Sequence, residues 1–161
     1  MKPVCLVIGA GAGIGGTVGK KFANEGFHAV LIRRSDELGL NKLVSDIEEE
    51  GGNATGYLLN AVEEGVLEER IKLIEDEIGP IEVIIFNLGA QIGNRSLPST
   101  SFKAFELGWR MACFALFRVA KVAIPVMENR GKGTILVTSA TAAVRGNVGQ
   151  HSHSAAMAGR R

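Results

Sequence analysis

Short runs of apolar and β-branched residues alternate along the chain with longer stretches whose apolar positions recur every three or four residues. Pro3–Ile8 (PVCLVI) is almost continuously apolar, the pattern of a strand covered on both faces. A helix is predicted over Ile14–Asn24, with Gly26 placed to stop it. Phe27–Ile32 (FHAVLI) reads as a second strand. Ser35 can then cap a helix running to about Glu50, where Gly51 and Gly52 end it. Ala54–Leu59 is a weaker third strand. From Val62 to Ile78, Val66, Leu67, Ile71, Leu73, Ile74 and Ile78 fall at mostly helical spacing among acids, and Gly79-Pro80 breaks the run. Ile81–Phe86 (IEVIIF) is a fourth strand, Asn87–Ser101 a polar loop, and Phe102–Arg130 a long helix bent near Gly108 and Pro125. Thr134–Thr138 (TILVT) is the fifth strand.

Strand and helix alternating five times require crossover connections, hence a parallel sheet with helices on both faces. Right-handed crossovers narrow this to a doubly wound α/β sheet. The chain has 161 residues and no repeat, low-complexity tract or linker, so one domain is expected over 1–161. The balance of 18 Lys+Arg against 17 Asp+Glu gives a net charge of +1, which argues against nucleic-acid and anionic-membrane partners. No apolar run reaches the ~18–20 residues of a spanning helix. Cys5 and Cys113 lie in apolar runs and read as reduced core thiols of a cytoplasmic protein. Glycine is in excess at 21 residues, against a usual share of about 7%.

Those glycines gather between the first strand and the first helix. A loop that turns tightly, brings its backbone up to a pyrophosphate and then opens a helix needs residues without Cβ. Two registers fit: Gly11-x-Gly13-x-x-Gly16 and Gly9-x-x-x-Gly13-x-Gly15. The second is preferred because Gly9 directly follows the last strand residue. Candidate coenzyme contacts in the loop are Gly9, Gly11, Ala12, Gly13, Ile14 and Gly15. Parallel sheets bind ligands outside the carboxyl ends of their strands. At those ends the sequence also places Arg33-Arg34, Asn60 with its neighbour Ala61, Asn87-Leu88-Gly89-Ala90, and Ser139.

With these residues in place, the sequence resembles the short-chain dehydrogenase/reductase family. Gly9-x-x-x-Gly13-Ile14-Gly15 is similar to its glycine motif, with Ile8 in place of the usual Thr. Phe86-Asn87-Leu88-Gly89 stands where the family has Asn-Asn-Ala-Gly. Ile124-Pro125-Val126-Met127 followed by Gly133–Ser139 looks like the family's helix end and catalytic-Ser strand. The resemblance implies a Rossmann fold and NAD(P)-dependent hydride transfer at a carbonyl or alcohol carbon of a small-molecule substrate. It also implies a Ser that holds the substrate oxygen, a Tyr that exchanges the proton, a Lys four residues later and a supporting Asn. Ser139 is present. The Tyr position falls on His153, the Lys position on Met157 and the Asn position on Ala112.

An imidazole exchanges protons near neutral pH without a neighbouring cation, so His153 is the candidate proton donor beside Ser139. The alternative is that His151 and His153 are polar residues at a helix entrance. Neither has a third ligand nearby, which argues against a metal site. Arg33 and Arg34 stand where a ribose 2′-hydroxyl would be met by an acid, so they favour NADP over NAD. The alternative is two solvated surface charges, and Ala12 brings no second base to the loop. The resemblance puts Asn60 where the family commonly has an Asp near the adenine, and its side chain keeps a carbonyl acceptor for the adenine amino group. The helix carrying Trp109, Met111, Phe114, Leu116 and Phe117 is apolar on more than one side, as expected for a core helix; the resemblance implies instead that it pairs with its twin in a homo-oligomer. Family members continue beyond this length, so a missing C-terminal part is expected. Two functional readings follow: an oxidoreductase with altered proton delivery, or an NADP-binding protein that has lost turnover and acts as a sensor or subunit.

Overall fold

In the computed structural model, which describes residues 1–89 and 95–161, five parallel strands form one sheet in the order β3-β2-β1-β4-β5. They are β1 (Val4–Ile8), β2 (His28–Arg33), β3 (Asn53–Leu58), β4 (Ile81–Phe86) and β5 (Thr134–Val137). The helices between them are α1 (Ile14–Asn24), α2 (Glu37–Glu49), α3 (Val66–Glu77), α4 (Phe102–Trp109) and α5 (Ala115–Arg130), and α6 (His151–Arg160) follows β5. This is the doubly wound Rossmann arrangement. The strand order reverses direction between β1 and β4, which makes a crevice at their carboxyl ends.

The pleat sorts the strand residues into two cores. Val4, Leu6 and Ile8 of β1 join Val30, Ile32, Ile84 and Phe86 on the face covered by α3 and α5. Cys5 and Val7 join Ala29, Leu31, Val83 and Ile85 on the face covered by α1 and α2. Both faces are buried, which is why these strands read as unbroken apolar runs. Both cysteines are free, and burial pushes the Cys5 thiol up to about 12. Among the described residues, no helix is long and apolar enough to cross a membrane.

Several boundaries differ from the pattern. Asp36, not Ser35, caps α2: it sits in the left-handed region (φ 68°) and its carboxylate accepts from Gly39 N at 3.0 Å. The third helix starts at Val66 rather than Val62, because Gly65 takes φ 82° and ends the preceding turn. The long helical stretch is interrupted not at Gly108 but by a π-helical segment, Arg110–Phe114, and Pro125 lies within α5. Of the predicted loop and the Asn87–Ala90 segment, Ala90 and residues 91–94 lie outside the described residues.

Two ion pairs bind α3 to α5. Arg118 is almost fully buried; it donates to both Glu68 carboxylate oxygens at 2.6 Å and to the Glu63 carbonyl at 2.6 Å. Arg130 reaches Glu75 at 2.9 Å and the Ile81 carbonyl at 2.7 Å. The Arg118 hydrogen bonds hold the Glu68 carboxyl below its ordinary range. Such a group stabilises the fold above its unfolded pKa and loses that contribution as pH falls through the folded value. Arg118→Met, which strands the half-buried carboxylate, is expected to cost about 2–3 kcal/mol in urea unfolding at pH 7. The gap between wild type and variant should shrink as pH falls below the carboxylate range. A gap independent of pH would contradict the assigned ion pair.

Candidate functional site

The crevice is built where β1 hands the chain to α1. Gly9 follows the last residue of β1 with φ 97°, and a Cβ there would stand 2.6 Å from the Asn87 carbonyl oxygen. Its N–H donates to Ile32 O at 3.0 Å, and its carbonyl accepts from Gly11 N at 2.9 Å and from Asn87 Nδ2 at 3.0 Å. Gly15 lies against the same carbonyl, since its Cβ would be 2.2 Å from Gly9 O. A Cβ on Gly16 would meet Gly11 O at 2.6 Å, so both overlapping glycine registers have a steric cause. Gly11 and Gly13, in contrast, face open space. Gly13 begins α1 and no side chain caps it, which leaves the first-turn amides of Ile14 and Gly15 without a side-chain partner. Ile14 and Ala12 are exposed beside them.

A groove of about 440 Å³ runs from this turn across the strand ends, lined by Gly9, Gly11, Arg33, Arg34, Asn87 and Gly89 among others. Arg33 ends β2 and pairs with Asp36 at 3.0 Å, while Arg34 is exposed. Beyond Arg33, a second cavity between α1 and α2 holds Lys20 and Lys42, which share Asp46 at 3.1 and 2.8 Å. Asn60 closes its own turn: Oδ1 accepts from Val62 N at 3.4 Å and Nδ2 donates to Glu63 at 3.1 Å. The Ala61 side chain is buried in the core with Leu67 and Ile71, so only its backbone can face a ligand. Neither residue lines the groove.

Across the switch point, Ser139 is exposed just past β5. The turn after it, Thr141–Ala143, sets Ala142 and Ala143 against Ala156 and Met157 of α6. His153, also on α6, is half-buried, and its Nδ1 is buried without a hydrogen-bond partner. The two positions that would carry Asn and Lys meet instead as hydrocarbon: Ala112, on the π segment, and Met157 belong to one buried apolar cluster. One residue that the motifs did not single out also enters this region: Arg160, whose guanidinium is buried beneath the ends of β4 and β5. Its spacing of seven from His153, two helical turns on one face, was the available signal.

A family model for short chain dehydrogenase matches residues 3–161. A short-chain dehydrogenase structure from Rhodopseudomonas palustris superposes with a TM-score of 0.93 at 36% identity, covering 99% of this chain and 74% of that one. A 7α-hydroxysteroid dehydrogenase complexed with NADH and 7-oxo glycochenodeoxycholic acid shares the fold at TM-score 0.90 and 24% identity, over 98% of this chain and 61% of that one. Mouse (Mus musculus) peroxisomal multifunctional enzyme type 2 is 30% identical over 97% of this chain. The Thermotoga maritima 3-oxoacyl-(acyl-carrier-protein) reductase FabG is 28% identical over 97%. The chain spans 22% and 63% of the lengths of those two relatives. It belongs to the short-chain dehydrogenase family.

The two kinds of glycine predict different outcomes. Gly9→Ala forces a side chain into the left-handed region and against Asn87, and should lower stability by about 2 kcal/mol or more in urea unfolding. Gly13→Ala adds a methyl to open space at the N-cap of α1 and should cost clearly less, about 1 kcal/mol or below, through the poorer cap alone. Equal destabilisation by both would contradict the assigned turn.

Proposed function

We propose that this chain is an NADP-dependent oxidoreductase acting on a carbonyl or alcohol, with proton delivery through His153. The observation that carries the coenzyme reading is the turn itself: Gly9 and Gly15 let backbone pack on backbone, and beyond Gly11, whose amide donates to Gly9 O, the amides of Ala12, Gly13, Ile14 and Gly15 have no partner among the described residues at a helix N-terminus. Those amides fit a diphosphate, and the residues present therefore fit a dinucleotide. Arg34, exposed on the groove wall, and Arg33 beside it favour a 2′-phosphate, with Lys20 and Lys42 adding positive charge behind them. Asp36 lies 3.0 Å from Arg33, so Arg34 is the freer of the two to engage the phosphate.

When bound, a nicotinamide coenzyme supplies or accepts the hydride. This chain's own residues do the rest. The exposed Ser139 hydroxyl donates to the substrate oxygen and holds it. His153 exchanges the proton through an imidazole whose Nδ1 has no competing partner. Met157 puts no cation beside that proton, which is why an imidazole rather than a phenol is the fitting donor at position 153. Asn87 keeps the groove floor in place through Gly9 rather than touching the reacting atoms.

A homo-oligomer is part of the same reading. Phe102, Trp109 and Phe117 are exposed along α4 and α5, with Trp109, Phe114 and Phe117 stacked at 5.3 and 6.4 Å between ring centroids. An aromatic stripe of this kind is suited to cover by a second copy. The two free cysteines suit a reducing compartment such as the cytoplasm.

The test is coenzyme titration followed by a carbonyl panel. NADPH should bind at least tenfold tighter than NADH, and Arg34→Ala should remove most of that preference. His153→Ala should keep coenzyme affinity within about threefold and lower turnover by 10²-fold or more, the usual size of a positioned proton donor. Tighter binding of NADH, or turnover unchanged in His153→Ala, would contradict the reading. Sedimentation of the coenzyme-bound chain at its 17.1 kDa monomer mass would remove the oligomer.

A further inference from the structure

α6 carries a buried cation that the proposed proton transfer does not use. Arg160 is 8% exposed, and its guanidinium donates to three main-chain carbonyls: Nε to Ala112 at 3.1 Å, Nη1 to Thr138 at 3.2 Å and Nη2 to Leu88 at 2.5 Å. Its Cζ stands 5.1 Å from the centre of the Phe86 ring. These partners lie on the π segment and just past the carboxyl ends of β5 and β4. The charge is therefore fixed on the far side of the switch point from Arg33 and Arg34.

Carbonyls solvate the guanidinium but do not neutralise it. Among the described residues, no carboxylate forms an ion pair with Arg160. The elements packed on α6 are α4, the π segment and the 141–143 turn. Their charged side chains are Lys103, Glu106 and Arg110, and Glu106 faces Arg110 at 3.8 Å. Burial pushes the guanidinium pKa down, the sign of a charge deprived of water. An arginine stays charged regardless.

His153, Met157 and Arg160 fall at i, i+4 and i+7 on one face of α6, and helical side chains lean toward the helix N-terminus. The cation thus reaches back from one turn beyond Met157. A dinucleotide laid across the switch point with its adenosine on the β2 side puts its second nucleoside on the β4–β5 side. The oxidised nicotinamide ring is cationic and the reduced ring is neutral.

We propose that Arg160 is a specificity-determining residue for the redox state of the coenzyme, its unneutralised charge favouring the reduced form over the oxidised one. Like charges separated by several ångströms behind low-dielectric walls shift an equilibrium by roughly tenfold or more. The inference rests on the dinucleotide reading above.

The experiment titrates the full-length chain with NADPH and with NADP⁺ by calorimetry, in wild type, Arg160→Lys and Arg160→Gln. Wild type should bind the reduced form about tenfold tighter. Arg160→Lys, which keeps the charge, should hold most of that ratio, and Arg160→Gln should bring it close to one. A ratio unchanged in Arg160→Gln, even with both affinities weakened together, is what a purely structural clasp gives and overturns the proposal. Should Arg160→Gln not fold, the wild-type ratio decides, and equal or tighter binding of NADP⁺ overturns it. Failure of wild type to bind either form defeats the dinucleotide reading, and this inference with it.

Discussion

The carboxyl edge of the sheet is organised by a contact in which two backbones touch with no side chain between them. Gly9 receives the Asn87 carbonyl 2.6 Å from where its own Cβ would be, and Gly15 closes over the Gly9 carbonyl from the other side. Three strands meet there, because Gly9 also donates to Ile32 at the end of β2. Any side chain at those positions would separate β1 from β4, the two strands that flank the switch point. The Asn87 side chain fastens the contact by donating to the Gly9 carbonyl at 3.0 Å. The amides of Ala12, Gly13, Ile14 and Gly15 are left without a partner among the described residues.

Opposite the glycine turn, the edge is packed with hydrocarbon. Ala112 is presented inward by the π segment, and π turns within helices are frequent at functional positions. Met157 packs in the same buried cluster, so the two side chains form one apolar contact. The same region nevertheless keeps a positive charge, since Arg160 threads beneath it to three carbonyls. Arg160 and His153 lie two helical turns apart on one face of α6.

The sheet was readable from the chain because its three central strands, β2, β1 and β4, are buried on both sides, which makes them apolar runs ending at a glycine or a polar residue. Predicted strand ends fall within a residue of the observed ones at β1, β2, β3 and β5. The glycine turn was equally plain, and the preferred register follows from Gly9 sitting directly after Ile8. What the chain did not disclose depends on partners far away in sequence. Arg118 and Arg160 look like ordinary surface cations in a helical pattern, and only the fold supplies Glu68 to one and three carbonyls to the other. Capping by Asp36 rather than Ser35 turns on a left-handed φ that no periodicity encodes. Ala61 shows a further limit: it adjoins the strand end at which ligands bind, yet its side chain faces the core.

Backbone amide shifts during titration with NADPH test the central claim most directly. The amides of Gly11, Gly13, Ile14 and Gly15 should move most, together with Arg34, while Gly51 and Gly131, away from the groove, stay in place. Saturable shifts centred elsewhere, or none at all in the loop, would contradict a diphosphate held on the backbone of this turn.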